Sequence, residues 1–316
     1  MWTSEQLDKK RQQGDAKADE LINTVFAQNG MVGIKNLMSF LTNAYLWDIT
    51  TQPKEVQKFF KSISCSINQK QLNKALSFYQ ENQQNIGLVL ACYSLPYCYL
   101  GEDGARVLYL SEKIRNNTFK RLLDTGDFLN GIFKASDWEN EKVFVRIGKI
   151  RLIHAASRFF CLQQTEWNMS WGMPVNQEDM AGTNLAFSMI VLRGLQKMGI
   201  RVDTSKTEAF LYFWRVVGSI LGIDDDLLVN TFKEASKLDK LIAKRQFRPS
   251  VIGKELTESL RSTIEERQPN PLLKGLPTAQ MRFFLGDEYA DFLAIPHNKI
   301  TQNIVALSTN LRTIFS

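Results

Sequence analysis

Apolar residues recur at three- and four-residue spacing along almost the whole of this 316-residue chain, whereas alternating runs of β-branched residues are scarce. That periodicity marks helices with one buried face and leaves few segments for a sheet. No Asn-Gly turn lies between strand-like runs, and Asn29-Gly30 closes a charged helical pattern over residues 4–28. Further patterns predict helices over 33–46, 53–63, 69–82 and 86–95, with Pro96 ending or bending the last. Residues 103–135 read as two helices or one bent one. Ser136 or Asp137 can cap a helix that runs to about residue 164. Asn176 caps a helix closed by Gly199, with Gln177, Glu178 and Asp179 in its first turn, where the helix dipole favours acids. Ser205 and Glu208 fit a capping box on a helix closed by Gly222, and Asp224 opens another through 246. Patterns over 251–266, 277–294 and 300–314 complete the chain. With no internal repeat and no low-complexity linker, residues 1–316 are expected to form a single large all-α domain.

Charge and composition exclude several classes of function. Lys and Arg total 39 against 33 Asp and Glu, a net +6 spread along the chain. No basic stripe interleaved with aromatics is present, which argues against nucleic acid as a partner, while an anionic ligand stays compatible. Cys65, Cys92, Cys98 and Cys161 form no C-x-x-C pair and no zinc knuckle, and they read as reduced thiols of a cytoplasmic protein. The N-terminus is charged and lacks the apolar core of a secretion signal. The longest apolar-leaning stretch, residues 86–100, is short for a membrane span and contains Pro96, so stable membrane insertion is not expected. Twenty Phe, eight Tyr and six Trp suit either a thick helical core or a large apolar pocket.

One of the two histidines stands in KIRLIHAASRFF, residues 149–160. On a helix, His154 shares a face with Ile147, Ile150, Arg151, Ser157, Arg158 and Cys161. A buried neutral imidazole needs a partner for each ring nitrogen or a metal on one of them. The two arginines repel a protonated ring and favour the neutral one that a metal requires. No second histidine or acid follows at the fourth residue, so a local H-x-x-x-H or H-E-x-x-H metal site is absent. Local chemistry leaves two readings: a core histidine bonded to a backbone carbonyl, or an axial ligand of haem, whose iron needs one protein histidine and whose propionates sit on arginine. Arg151 and Arg158 either meet such propionates or pair with nearby acids. His297, in AIPHNKI, reads as a loop residue without a role.

Two further stretches extend this reading. TFKRLLDTGDFL, residues 118–129, places Arg121 and Thr125 four apart on one helical face, and WGMPVNQEDMAGTNLAFS, residues 171–188, follows the histidine segment. In the order Arg-x-x-x-Thr, R-L-x-H-A-x-x-R and W-G-x-P-x-N-Q-E-D, the chain resembles the MpaB and rubber oxygenase (latex clearing protein) family of haem-dependent oxygenases. The resemblance spans about residues 95–260, including YFWRVVGSILGI and RPSVIGKELTESL. Residues 1–90 read as helices without a recognised motif and 261–316 as C-terminal helices. The resemblance implies a globin-like core binding haem b, with His154 as the iron ligand and Arg121 and Thr125 as polar groups on the opposite, dioxygen side. It implies an oxygenase acting with dioxygen on a hydrophobic alkene or isoprenoid-like substrate; a haem sensor or carrier, or a haem-free helical binding protein, are the alternatives. Some rubber-cleaving members carry a lysine just before the distal threonine, where this chain has Asp124. Glu178 and Asp179 read as a fold-building corner with the Asn176 cap, not as catalytic acids.

Overall fold

A computed structural model of the chain describes residues 2–110, 118–268 and 270–297. Among them the elements are helical, and the one β contact is an isolated bridge between Gly101 and Phe247. A capping box between Thr3 and Gln6 starts α1 (Ser4–Arg11). The helix expected over 4–28 therefore divides, and Asp15 caps α2 (Ala16–Thr42). Gly30, at φ 56° and ψ −153°, kinks α2 where a terminus was expected; only glycine reaches that region without a Cβ penalty. After α3 (Lys54–Lys61), α4 (Gln69–Val89) runs directly into a π turn (Leu90–Ser94) and α5 (Leu95–Tyr99). In the π turn the Leu95 N–H reaches back five residues to the Leu90 carbonyl. Pro96 brings no N–H and crowds the preceding turn, so the register slips there and the helix continues.

Next come α6 (Glu102–Leu110), α7 (Thr118–Ile132) and the short α8 (Ala135–Glu139). Glu141 then takes a left-handed φ of 60° and resets the chain before α9 (Lys142–Leu162), the histidine helix. It starts at Lys142 and not at Ser136 or Asp137; the latter is buried and pairs with Arg146 at 3.1 Å. The segment expected as one helix from Asn176 to Gly199 is two, α10 (Gln177–Phe187) and α11 (Met189–Lys197), broken at Ser188. Asp203, not Ser205, caps α12 (Thr204–Ile220). Asp224 opens only one 3-10 turn, and a Thr231–Glu234 capping box starts α13 (Phe232–Gln246). The described chain ends with α14 (Val251–Glu266), α15 (Leu276–Leu285) and α16 (Asp287–Phe292). The helix expected over 300–314 lies outside the described residues.

Two apolar clusters meet at α9. The larger draws on α4, α5, α11, α12 and the first half of α9, including Val143 and Ile147, both fully buried. Phe133 stacks between Tyr79 at 3.8 Å and Phe213 at 4.3 Å, a share of the aromatic wealth that goes into core rather than pocket. The smaller cluster joins α2 and α3 to Leu152, Ala155 and Ala156 of α9. The histidine helix is therefore held on two sides. Among the described residues, no helix is long and apolar enough to cross a membrane.

Candidate functional site

Three polar residues that the sequence singles out stand on α9. Arg151 donates through Nε and Nη2 to the two carboxylate oxygens of Asp15, at 2.5 and 2.9 Å, and through Nη1 to the Ile220 carbonyl at 3.2 Å. Arg158, fully buried, donates from Nε to Asp19 at 2.6 Å and from Nη1 to the Val175 carbonyl at 3.0 Å. Its Nη2 is buried without a partner. Burial pushes the Asp19 carboxyl up, and the Arg158 guanidinium opposes the rise. Both arginines are thus engaged by acids of the N-terminal segment, partners that sequence spacing could not reveal because they lie more than a hundred residues away.

Between them, His154 is half-buried, and its Nδ1 is fully enclosed with no hydrogen-bond partner. Burial pushes the imidazole pKa down from 6.5 to about 4; Arg158 adds to the fall and Asp15 opposes it. The ring is neutral at pH 7. Because the folded value lies below the unfolded one, the unfolded chain takes up this proton first as pH falls. The stability contributed by the neutral ring is present above pH 6.5 and is lost as pH falls through about 4. Urea denaturation from pH 7 to pH 4 should show the apoprotein losing stability more steeply than His154→Gln.

On α7, Arg121 turns inward against the buried Tyr99 and the half-buried Cys98 of α5. Burial raises the Tyr99 phenol and pushes the Cys98 thiol up to about 12, while the nearby guanidinium opposes each rise. The Thr125 hydroxyl is half-buried and donates back to the Arg121 carbonyl at 2.8 Å. Asp124 faces solvent and pairs with Lys120 at 2.9 Å, so its charge is directed away from the interior. The end of α7 packs against α9, where Gly131 makes room for Arg146. Among the described residues no hydrogen bond or ion pair joins Arg121 and Thr125 to the His154 group.

The W-G-x-P-x-N-Q-E-D segment forms the corner that the sequence suggests. Gly172 takes φ 89° under the Arg11 carbonyl, and Val175 takes φ 49°, a conformation rare for a β-branched residue. Asn176 caps α10 by accepting from the Asp179 N–H at 2.9 Å. Gln177 ties three segments, donating to the Gly14 and Gly222 carbonyls and accepting from the Asp224 N–H, each at 2.9 Å. Glu178, fully buried, accepts from Arg245 at 2.8 Å, Gln246 at 3.2 Å and Arg11 at 3.4 Å. Burial raises the Asp179 pKa, and Arg11 at 3.0 Å opposes it. These acids are occupied in joining α1, α10 and α13.

The haem that the resemblance implies can be tested against this geometry. Among the described residues no group of three or more His, Cys, Asp or Glu could hold a metal ion. A metal at His154 would therefore have to bring other ligands with it, as a porphyrin does. An enclosed ring nitrogen without a partner costs about 1–3 kcal/mol, a penalty that a bound group can offset. In donor chemistry the residues present fit haem through His154, whose neutral ring leaves a nitrogen unpartnered. Arg158 keeps one buried N–H group free, whereas Arg151 is fully engaged.

The all-helical fold is shared with a solved structure: that of latex clearing protein in its closed state superposes with a TM-score of 0.82. That match has 20% identity and covers 97% of this chain and 84% of that one. The model of the family described as ER-bound oxygenase mpaB/B'/rubber oxygenase, catalytic domain, matches residues 104–312, and the chain belongs to this family. The rubber oxygenase of a Streptomyces species is 28% identical over 170 residues, 53% of this chain. This chain spans 42% of that relative's length.

Proposed function

We propose that the protein is a haem b-dependent oxygenase that uses dioxygen on a hydrophobic alkene or isoprenoid-like substrate. The observation that carries this reading is His154: a neutral imidazole with an enclosed, unpartnered nitrogen, on the central helix of a chain in an oxygenase family. His154 would hold the iron, and the free Nη2 of Arg158 is the cation left to meet a propionate. Bound haem would supply the redox chemistry that activates dioxygen. Arg121 and Thr125 would provide the fixed polar groups on the dioxygen side, which stabilise developing negative charge best in a dry site. The buried position of Tyr99 beside Arg121 supports such a site by excluding water from the guanidinium. Asp124, being turned to solvent, would leave that chemistry untouched. Four free cysteines, two of them buried, support a reducing, cytoplasmic setting.

The test is reconstitution with haem, followed by the absorption spectrum, a pyridine haemochrome assay and oxygen uptake. Uptake is expected with a short polyisoprene and not with its saturated analogue. A Soret band without uptake on any alkene would indicate a sensor or carrier, and no Soret band after reconstitution would overturn the haem reading.

A further inference from the structure

We infer that Asp15 and Asp19, which precede the family-matched region, are positioning residues for His154: their ion pairs with Arg151 and Arg158 set the rotation of α9 and hence the direction of the imidazole. The inference rests on the haem reading above. At about 100° per residue, Arg151 and Arg158 fall within about 20° of one line along α9, roughly 10 Å apart along its axis. His154 stands about 40–60° round the helix from that line. Two attachments on one line, two turns apart, oppose both rotation and tilt of the segment that carries the ring.

Each attachment is built on more than its salt bridge. Arg151 also holds the Ile220 carbonyl at the end of α12, and Arg158 holds the carbonyl of the strained Val175. Each pair is seated against a glycine. A Cβ on Gly14 would lie 2.7 Å from the Asp19 carboxylate and 2.9 Å from Arg158, and one on Gly222 would lie 2.8 Å from Arg151 and closer still to Asp15. Gly222, at φ 84°, is also where the backbone itself requires glycine. Asp15 and Asp19 sit one helical turn apart at the start of α2, so a single short segment grips both ends of the histidine-bearing stretch. Arginines used this way are mechanical ties.

The experiment loads the full chain with haem and compares wild type with Asp15→Asn, Asp19→Asn, their double variant and Asp19→Glu. Haem affinity and the ferric and ferrous absorption spectra are read, with circular dichroism as the check on folding. The Asn variants are expected to keep their helicity, bind haem at least tenfold more weakly and show a displaced or broadened Soret band. Asp19→Glu, which keeps the carboxylate, is expected to recover the wild-type spectrum. Folded Asn variants with wild-type affinity and spectrum would overturn the inference while leaving the haem reading intact. Absence of a Soret band in wild type would instead overturn the haem reading itself, and this assignment with it. Should the Asn variants not fold, Asp15→Asn combined with Arg151→Gln removes both charges of the pair that makes no propionate contact and is read in the same way; if that pair also fails to fold, the ties are structural only and the assignment is overturned.

Discussion

Glu178→Ala is expected to lower the unfolding free energy by about 3–5 kcal/mol, the usual cost of breaking a buried ion pair from one side. The Glu178 carboxylate is fully buried and accepts from Arg245, Arg11 and Gln246. Removing it strands three donors, from α1 and the end of α13, around a void. Arg11 would keep Asp179 at 3.0 Å and Arg245 would keep Asp8 at 2.6 Å, which limits the loss. Glu178→Gln preserves the shape and one acceptor, so a smaller loss of about 1–3 kcal/mol is expected. Urea denaturation of the apoproteins reads both values. A loss below about 1 kcal/mol for the alanine variant would mean that the flanking aspartates take over both arginines.

The second large effect concerns binding rather than folding. His154→Ala should leave the apoprotein's stability within about 1 kcal/mol of wild type, because the ring it removes carries an enclosed nitrogen with no hydrogen bond to lose. Haem affinity, by contrast, should fall by at least about a hundredfold, the loss of roughly 3 kcal/mol of ligation. A side chain whose removal costs the fold little and the ligand much marks a site whose demands differ from those of stability. Titration with haem, followed by pyridine haemochrome of the washed protein, separates the two. Unchanged haem retention in the folded variant would remove His154 from the ligand position.

Much of the architecture was legible in the periodicity. The Asn176 cap, the corner around Gly172 and the helix over 251–266 all follow from local rules, whereas at Pro96, where a helix was expected to end or bend, the chain slips register and runs on. The misplaced helix starts share one cause: several residues could serve as caps, and tertiary partners chose among them. Asp137 was drawn into a buried pair with Arg146, leaving Glu141 to begin α9 with no side-chain cap. Asp203 took the cap that Ser205 could have filled, and Thr231 took the one offered by Asp224.

The candidate site was half legible. The face that carries Arg151, His154 and Arg158 follows from helical spacing alone. What faces it does not, because Asp15 and Asp19 look like ordinary first-turn helix acids in a segment without a motif. Likewise nothing near Arg121 in the sequence announces Tyr99, which comes from α5, just beyond the π turn.

The position of α9 also decides where this protein can be cut. The family-matched region begins at residue 104, yet Phe78, Ile86, Val89 and Tyr99 lie in the larger cluster and α2 and α3 form most of the smaller one. An excision at that boundary would strip a shared wall of the material on both its sides. The matched region marks where sequence similarity is legible, while the walls that hold α9 draw on residues before it.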